Sequence, residues 1–320
     1  MPIKSNKIKR ILVCRNDRFG EFLLNIPAFQ ALKKRYPDSI ITLIVDPVTL
    51  ELAKAVPCVD EIILWSNAPK HTFQEKLALF NKLKKGKFDL ALIFNPSKEI
   101  NLLCFLAGIP LRGGYDKKWG FLLTHKLKDL KHLEEKHEIE YNLELAGIFG
   151  ASVDNHEFVI DIPHQVEGFV GNWVAVHPWT SDLVKQWPFE NFHNLIKKLL
   201  LLNLKVVVIG GKQEAQNSKI FLDSLPDEVN NLAGKTTLLE LAAVLKSSRL
   251  LISGDSGPVH LARVMKTPVV AIFRNDLPGK TAKRWGPDPE RSIVLEADNL
   301  GKITVDDVFN KIASLLRSSQ

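Results

Sequence analysis

The stretch LLISGDSGPVHLARVMKTPVVAIF, residues 250–273, decides the fold. It begins with an apolar run at 250–253 that suits a buried strand, and a turn containing glycine follows. A helical pattern at 258–265 and a second apolar strand at 268–273 complete the unit. Two strands joined through a helix lie parallel in one sheet. The stretch therefore predicts an α/β fold built on a parallel sheet.

The same alternation of strand and helix extends along the rest of the chain. Further strands are predicted at 10–14, 40–45, 61–65, 90–94, 173–177 and 205–209, and further helices at 29–35, 73–83, 189–202, 238–247 and 305–316. Repeated alternation is typical of a mostly parallel sheet that helices cover on both faces.

The alternation stops near residues 160–163, whose sequence is Ile-Asp-Ile-Pro, and restarts after a polar stretch. We therefore predict a linker near residues 163–172 and two Rossmann-like domains, residues 1–165 and 166–320, that face a central cleft. The last helical pattern fits either domain. Ligands of such folds bind where the C-terminal ends of strands and the N-termini of helices converge.

The composition is that of a globular protein of two domains, with 320 residues, 45% of them hydrophobic and 25% charged. No apolar run approaches the roughly 20 residues that span a bilayer, and the basic N-terminus lacks the apolar segment of a signal peptide. Cys14, Cys58 and Cys104 lie far apart in apolar surroundings, which predicts buried thiols in a reducing compartment. We expect a cytoplasmic protein.

The net charge of +7 is concentrated in basic clusters at residues 4–10, 82–87 and 117–131. Such clusters suit an acidic partner, such as an anionic lipid or a phosphorylated substrate, and they also suit solvated helix faces. No nucleic-acid-binding motif accompanies them, so we expect no nucleic-acid partner.

The turn of the opening stretch is the first candidate site. Asp255 and Ser256 are favourable residues at a helix N-terminus, and Pro258 suits the first helical turn. Backbone N–H groups and the helix dipole then suit a phosphate, to which His260 could donate a hydrogen bond. A capped helix without a ligand explains the same residues equally well.

Two further segments follow predicted strands of the same half. Thr180, Ser181 and Lys185 supply hydroxyl groups and an ammonium group that can hold phosphate oxygens. Glu214 follows two glycines and can accept hydrogen bonds from ribose hydroxyls. A solvated lysine and a plain turn between strand and helix are the alternatives.

The segment after the first strand combines a carboxylate with two arginines. Glu21 could take a proton from an attacking hydroxyl group. Arg15 and Arg18 could keep Glu21 ionised or could bind an anionic acceptor. A glutamate that merely stabilises the start of a helix is the alternative.

Motifs of several other sites do not occur in the sequence. There is no Asp-x-Asp pair to hold Mg²⁺ or Mn²⁺, no cluster of histidine and cysteine for zinc, and no P-loop. The sequence therefore supplies no ligands for metal sites of these kinds.

Taken in order, these segments resemble glycosyltransferase family 9, the ADP-heptose:lipopolysaccharide heptosyltransferases and their relatives. The resemblance covers nearly the whole chain, with residues 11–37 similar to the opening strand and helix of the family and residues 112–116 and 137–145 similar to its middle landmarks. Residues 231–238 followed by 254–262 resemble its most specific pattern, nLaGktsL…DSGpxHlA. The resemblance implies a GT-B fold and inverting transfer without a metal or other cofactor.

By position, the resemblance also implies roles for individual residues. The residues implied to bind the sugar donor are Thr180, Ser181 and Lys185 at its phosphates, Glu214 at the ribose, Thr236 beside the adenine, and Asp255, Ser256, Gly257 and His260 around the diphosphate. Glu21 stands where the family usually has the aspartate that acts as general base. Arg274 is a second departure, because relatives usually have glycine there.

The resemblance implies transfer of heptose, or a related sugar, from an ADP-sugar substrate to an anionic lipopolysaccharide core acceptor. Peripheral contact with the inner face of the cytoplasmic membrane is then expected. Two alternatives stay open. One is a nucleotide-sugar 2-epimerase of GT-B-like fold, and the other is a non-catalytic relative that binds nucleotide or glycan, which the change from aspartate to Glu21 would fit.

Overall fold

The computed structural model describes residues 8–162 and 173–318. Contacts divide the chain into two compact units, Met1–Asp161 and Ile162–Gln320, and the linker predicted at 163–172 lies outside the described residues. Each unit contains one parallel sheet of six strands, so the predicted α/β fold is confirmed. No helix of the described residues is long and apolar enough to cross a membrane.

The first unit alternates strands with helices from its start. Its strands are β1 (Arg10–Cys14), β2 (Ile40–Val45), β3 (Glu61–Leu64), β4 (Leu90–Ile93), β5 (Leu111–Tyr115) and β6 (His125–Leu127). Its helices are α1 (Phe19–Leu23), α2 (Ile26–Arg35), α3 (Leu50–Lys54), α4 (Phe73–Gly86), α5 (Lys98–Leu106) and α6 (Glu138–Gly147). The strand order is β3-β2-β1-β4-β5-β6, so the winding direction reverses between β1 and β4.

The second unit repeats this plan. Its strands are β7 (Trp173–His177), β8 (Lys205–Val208), β9 (Asn230–Asn231), β10 (Ser248–Gly254), β11 (Val269–Arg274) and β12 (Ile293–Ala297). Its helices are α7 (Phe189–Leu201), α8 (Lys212–Asn217), α9 (Lys219–Asp223), α10 (Leu238–Lys246), α11 (Gly257–Val264), α12 (Ala282–Trp285) and α13 (Val305–Ser318). The order β12-β11-β10-β7-β8-β9 reverses between β7 and β10.

Continuous apolar strands form the centre of each unit. Leu12 and Ile44 are completely buried in the first sheet, and Val176 and Ile252 are completely buried in the second. Helices cover both faces of a parallel sheet, so its strands have no polar side, and each buried aliphatic side chain contributes about 1.5–3 kcal/mol.

Strand β5 was not predicted, because its sequence is not an apolar run. Gly113 lies under the ring of Phe149, and a Cβ atom at position 113 would lie 2.5 Å from that ring. The strand therefore makes room for an aromatic side chain instead of contributing one. Helix α1 was also not predicted, since a linking loop was expected between β1 and the first helix.

The last helix, α13, packs against α7 and the strands β11 and β12 of the second unit. Its side chains Val308 and Ile312 are completely buried in the core of that unit. Of the three cysteines, which are free thiols, Cys14 and Cys104 are buried and Cys58 is half-buried.

Candidate functional site

Two neighbouring strands of the second sheet position most of the predicted donor-binding residues. Strand β7 ends at His177 and β10 ends at Gly254, and His177 lies directly opposite Ser253 in the parallel register. The loops that follow these strands therefore leave the same edge of the sheet, at the point where the winding direction reverses. Ligands of doubly wound folds bind at this point.

Helix α11 begins immediately after β10. Ser256 is the residue before the helix, and in the described structure its hydroxyl group does not cap the helix. Instead its Oγ lies 2.8 Å from Oγ of Ser253. The Ser256 hydroxyl thus does not occupy the backbone N–H groups of the first turn, which begins at Gly257, and such groups attract anions.

The loop after β7 brings an ammonium group to the same helix. Lys185 ends a short 3₁₀ helix, Leu183–Lys185, and its Nζ donates a hydrogen bond to Oδ2 of Asp255. The two side chains are only 12% and 11% exposed. A Cβ atom at Gly254 would lie 2.9 Å from Cγ2 of Thr180, so the glycine allows this loop to approach β10.

The guanidinium of Arg274 supports the Lys185 loop from β11. It forms two hydrogen bonds with the carboxylate of Asp276, of 2.7 and 2.6 Å, and donates a third to the carbonyl oxygen of Val184 at 3.2 Å. Lys280 adds an ion pair of 3.2 Å with Asp182. Arg274 thus fastens the segment that carries Lys185.

Glu214 lies in the first turn of α8, at the same edge of the sheet. Its Oε2 accepts a hydrogen bond of 2.7 Å from the backbone N–H of Gly211 and lies 3.4 Å from Nε2 of His177. Burial would raise the pKa of Glu214, but the hydrogen bonds from His177 and from the backbone N–H of Gly211 hold it below its usual value. Glu214 is therefore an ionised acceptor that also stabilises the start of its helix.

The loop of Thr236 is held against the loop of Glu214. The backbone N–H of Gly234 donates to the carbonyl oxygen of Gly210 at 2.8 Å. Gly234 has φ +75°, a left-handed conformation that favours glycine, and a Cβ there would lie 3.4 Å from Cα of Lys212. Thr236, which is half-buried, follows this turn directly. The residues predicted for ribose and adenine thus lie on adjoining loops.

The two remaining donor-binding candidates differ in exposure. Ser181 is exposed in the loop that leads to Lys185. His260 is buried in α11, and its ring centroid lies 6.0 Å from that of Trp285.

In the first unit, Glu21 lies in α1 just beyond the C-terminal end of β1. Burial raises its pKa first, and the negative charge of Asp17 adds to the effect. Arg15 and Arg18 lower the pKa but do not cancel the increase. The two arginines thus favour the ionised form of Glu21, as considered from the sequence, but burial and Asp17 outweigh them. A carboxylate with raised proton affinity suits a general base.

Arg15 was predicted to bind an anionic acceptor, and the structure gives it an internal role. Its side chain is 4% exposed, and its Nε lies 2.9 Å from Oδ1 of Asp17. It also donates to the carbonyl oxygen of Phe94 at 3.3 Å and lies 3.9 Å from Oε1 of Glu138. A buried guanidinium with these partners is unavailable to an acceptor. Arg18, by contrast, is exposed.

Asp17 and Glu138 were not identified from the sequence. Glu138 is buried and receives a hydrogen bond of 2.6 Å from Nζ of Lys131. Asp17, Arg15, Glu138 and Lys131 thus form a chain of alternating charges next to Glu21. The sequence signal that could have identified Asp17 is its position shortly before Glu21, at the start of a helix.

The predicted basic cluster at 117–131 is partly neutralised within the chain. Lys117 pairs with Asp129 at 2.7 Å, and Lys126 pairs with Asp116 at 3.0 Å. Lysines in this cluster therefore contribute less positive field than the sequence suggests. Among the described residues, no group of three histidine, cysteine, aspartate or glutamate side chains is arranged to hold a metal ion.

The chain is similar to known proteins. The sequence profile of glycosyltransferase family 9 (heptosyltransferase) matches residues 76–302. The chain is 26% identical to lipopolysaccharide heptosyltransferase 3 of Escherichia coli K12, over 89% of this chain and 87% of that protein.

Solved structures give the same picture of the fold. The glycosyltransferase family 9 structure from Veillonella parvula is similar with a TM-score of 0.83 and 21% identity, over 97% of both chains. The E. coli ADP-heptose lipopolysaccharide heptosyltransferase II is similar with a TM-score of 0.82 and 21% identity, over 97% of this chain and 99% of that chain. The fold is the GT-B fold of these structures.

Proposed function

Since the chain belongs to glycosyltransferase family 9, the heptosyltransferases, we propose that it transfers heptose, or a related sugar, from an ADP-linked donor to a lipopolysaccharide core acceptor. The transfer inverts the anomeric centre and uses no metal or other cofactor. The ADP-sugar is a substrate and is not counted as a cofactor. The names of the E. coli relatives, one of which includes ADP-heptose, support this choice of donor and acceptor.

One observation carries the proposal. The Lys185–Asp255 ion pair lies beside the N-terminus of α11, on the same sheet edge as the ionised Glu214. A cation beside a helix N-terminus suits a diphosphate, and a carboxylate acceptor suits the two hydroxyls of a ribose. A nucleoside diphosphate is the ligand that needs both.

On the donor side, the proposed roles follow from the chemistry of each group. The diphosphate lies at Gly257, where the backbone N–H groups and the hydroxyls of Thr180, Ser181 and Ser256 donate hydrogen bonds. Lys185 stabilises the negative charge that grows on the diphosphate as the sugar leaves. Glu214 accepts from the ribose, Thr236 lies beside the adenine, and His260 and Asp255 support the diphosphate turn.

On the acceptor side, Glu21 takes the proton of the acceptor hydroxyl as the oxygen attacks the anomeric carbon opposite the diphosphate. Its raised pKa supports this role, because a carboxylate whose pKa lies closer to neutral pH is a stronger base. Exposed Arg18 supplies a positive charge for a phosphorylated acceptor. An acceptor in the inner leaflet would bring the enzyme to the cytoplasmic face of the membrane as a peripheral protein.

Two experiments test the donor and the reaction. Thermal shift with ADP, UDP and GDP should show the largest stabilisation by ADP, because a ligand that binds only the folded state raises its stability. A preference for UDP would refute an ADP-linked donor. Release of ADP from ADP-heptose should then depend on a lipopolysaccharide core acceptor, with inversion at the anomeric carbon detected by NMR, and should persist in excess EDTA.

The same assays address the two alternatives. A 2-epimerase would convert a UDP-sugar without any acceptor, and the match to family 9 favours transfer instead. A non-catalytic relative would bind ADP and release none from ADP-heptose in the presence of acceptor.

A further inference from the structure

A chain of polar contacts, buried at its centre, links the two ends of the proposed donor site. Oε2 of Glu214 lies 3.4 Å from Nε2 of His177, and Nδ1 of His177 lies 3.2 Å from Oγ of Ser253. Oγ of Ser253 in turn lies 2.8 Å from Oγ of Ser256. We call Glu214, His177, Ser253 and Ser256 the imidazole relay.

The two central residues of the relay, His177 and Ser253, are almost completely buried. His177 is 2% exposed and Ser253 is 0% exposed, and the ring of Trp179 packs edge-on against His177 at 5.7 Å. In the part of the chain that the structure describes, Glu214 is the ionisable side chain that contacts His177. Since buried polar groups need partners, the hydrogens of the relay must be shared among its own members.

With a neutral imidazole, the relay has one consistent arrangement of hydrogens. Oε2 of Glu214 accepts the backbone N–H of Gly211 at 2.7 Å, so it is an acceptor and Nε2 of His177 carries the hydrogen. Nδ1 must then accept from the hydroxyl of Ser253, whose oxygen accepts from the hydroxyl of Ser256. The hydrogen of Ser256 therefore points inward, and its lone pairs point toward the start of α11. Lone pairs repel a phosphate oxygen.

With a protonated imidazole, every hydroxyl turns around. Both ring nitrogens now donate, so Ser253 accepts from Nδ1–H and donates its own hydrogen to Ser256. Ser256 then has its hydrogen available for an outward bond, and a half-buried hydroxyl at a helix N-terminus can donate it to a phosphate. The negative charges of Glu214 and of the phosphate both stabilise the imidazolium.

We propose that His177 is a positioning residue that takes up a proton from solvent when a diphosphate binds at α11, so that the relay converts Ser256 into a hydrogen-bond donor. This inference rests on the proposed function, because it requires a nucleoside diphosphate at this site. By linkage, the nucleotide binds more tightly as the pH falls, with a limit of about tenfold per pH unit for uptake of one proton.

Calorimetric titration with ADP, in buffers of different ionisation enthalpy, measures the uptake. At about pH 7.5 the terminal phosphate of ADP, whose second pKa is about 6, is already ionised and contributes little. The dependence of the binding enthalpy on the buffer should give uptake of a sizeable fraction of one proton. Binding of ADP without uptake would refute the relay and leave the proposed donor site standing, whereas failure of ADP to bind would refute both.

Two variants of the same strand separate the relay from general packing. Ser253→Ala breaks the link between His177 and Ser256 and should abolish the uptake and the pH dependence of ADP affinity. Ser248→Ala removes a buried hydroxyl of β10 that donates instead to the carbonyl oxygen of Val244, and it should leave both unchanged. Equal uptake in the two variants would refute the role of Ser253.

Replacing the imidazole itself tests where the proton goes. His177→Gln keeps a donor and an acceptor but cannot titrate, so ADP should bind with no proton uptake and with affinity independent of pH. Circular dichroism and thermal unfolding establish that each variant is folded. Uptake that persists in folded His177→Gln would overturn the assignment, and if this variant does not fold, the pair of serine variants decides.

Discussion

The Lys185–Asp255 ion pair gives the sharpest test of the donor site. In Lys185→Met the side chain keeps its unbranched apolar stem and loses its ammonium group, so the diphosphate loses a charge-assisted hydrogen bond of about 1.5–3 kcal/mol. The Kd of ADP should therefore rise about 10- to 150-fold. Isothermal titration calorimetry measures the change.

The same substitution should lower the free energy of unfolding. The two side chains are 12% and 11% exposed, between a surface pair, worth about 0–1 kcal/mol, and a fully buried pair, whose breaking costs about 3–5 kcal/mol. We expect a loss of about 2 kcal/mol in urea denaturation, because Asp255 loses its ammonium partner. Adding Asp255→Asn should recover about 1 kcal/mol of stability and little ADP affinity.

Lys198→Met is the matched control. Lys198 pairs with Asp306 in the same unit, but these side chains are 41% and 72% exposed. Its loss should change the free energy of unfolding by less than about 1 kcal/mol and leave the Kd of ADP unchanged. If both lysine variants weakened ADP binding equally, Lys185 would have no specific phosphate role and the reasoning would be refuted.

Four further predictions concern the carboxylates and the glycine turn. Glu21→Gln should reduce turnover at least about 100-fold with the Kd of ADP nearly unchanged, measured by ADP release and calorimetry. Glu21 must be deprotonated to act, so turnover should rise with pH through its raised pKa. Because the charge of Asp17 raises that pKa, Asp17→Asn should move this limb of the pH–rate profile to lower pH. A limb that does not move would show that Asp17 does not raise the pKa of Glu21. Glu138→Gln should lower the free energy of unfolding by about 3–5 kcal/mol in urea denaturation, because Lys131 and Arg15 lose a buried carboxylate partner, and a loss under about 1 kcal/mol would contradict that. Gly254→Ala should displace the Thr180 loop, since the new Cβ would lie 2.9 Å from Thr180 Cγ2. The variant should remain folded, and ADP should stabilise it less in thermal shift than it stabilises the parent chain.

Much of the fold could be predicted because buried parallel strands are written as short apolar runs. Strands β1, β2 and β7 begin and end at the predicted residues, and β10 and β11 extend beyond or shift from the predicted bounds by one or two residues. Strand β5 was not predicted, because Gly113 packs against the ring of Phe149, which is distant in the sequence. Such a residue makes sense only once its neighbour in space is known.

The candidate site divides in the same way. The turn before α11 is local, so spacing and residue type were enough to identify it. The partner of Lys185 lies 70 positions away in the chain, and Glu138 lies still farther from Arg15, so the sequence could not indicate either pair. Burial then changed the role of Arg15, and the contacts of His177 showed a group that sequence reasoning had passed over.

The strand order of the first unit has a consequence for synthesis on the ribosome. The first strand made, β1, lies at the centre of the sheet and pairs with β2 and β4, whereas the strands made last lie at one edge. The nascent chain must therefore extend past Leu90–Ile93 before the apolar surface of β1 gains its second neighbour. Until then one edge of β1 has unpaired backbone N–H and C=O groups that can pair with another chain. Chaperones that bind nascent chains should therefore matter most during this interval.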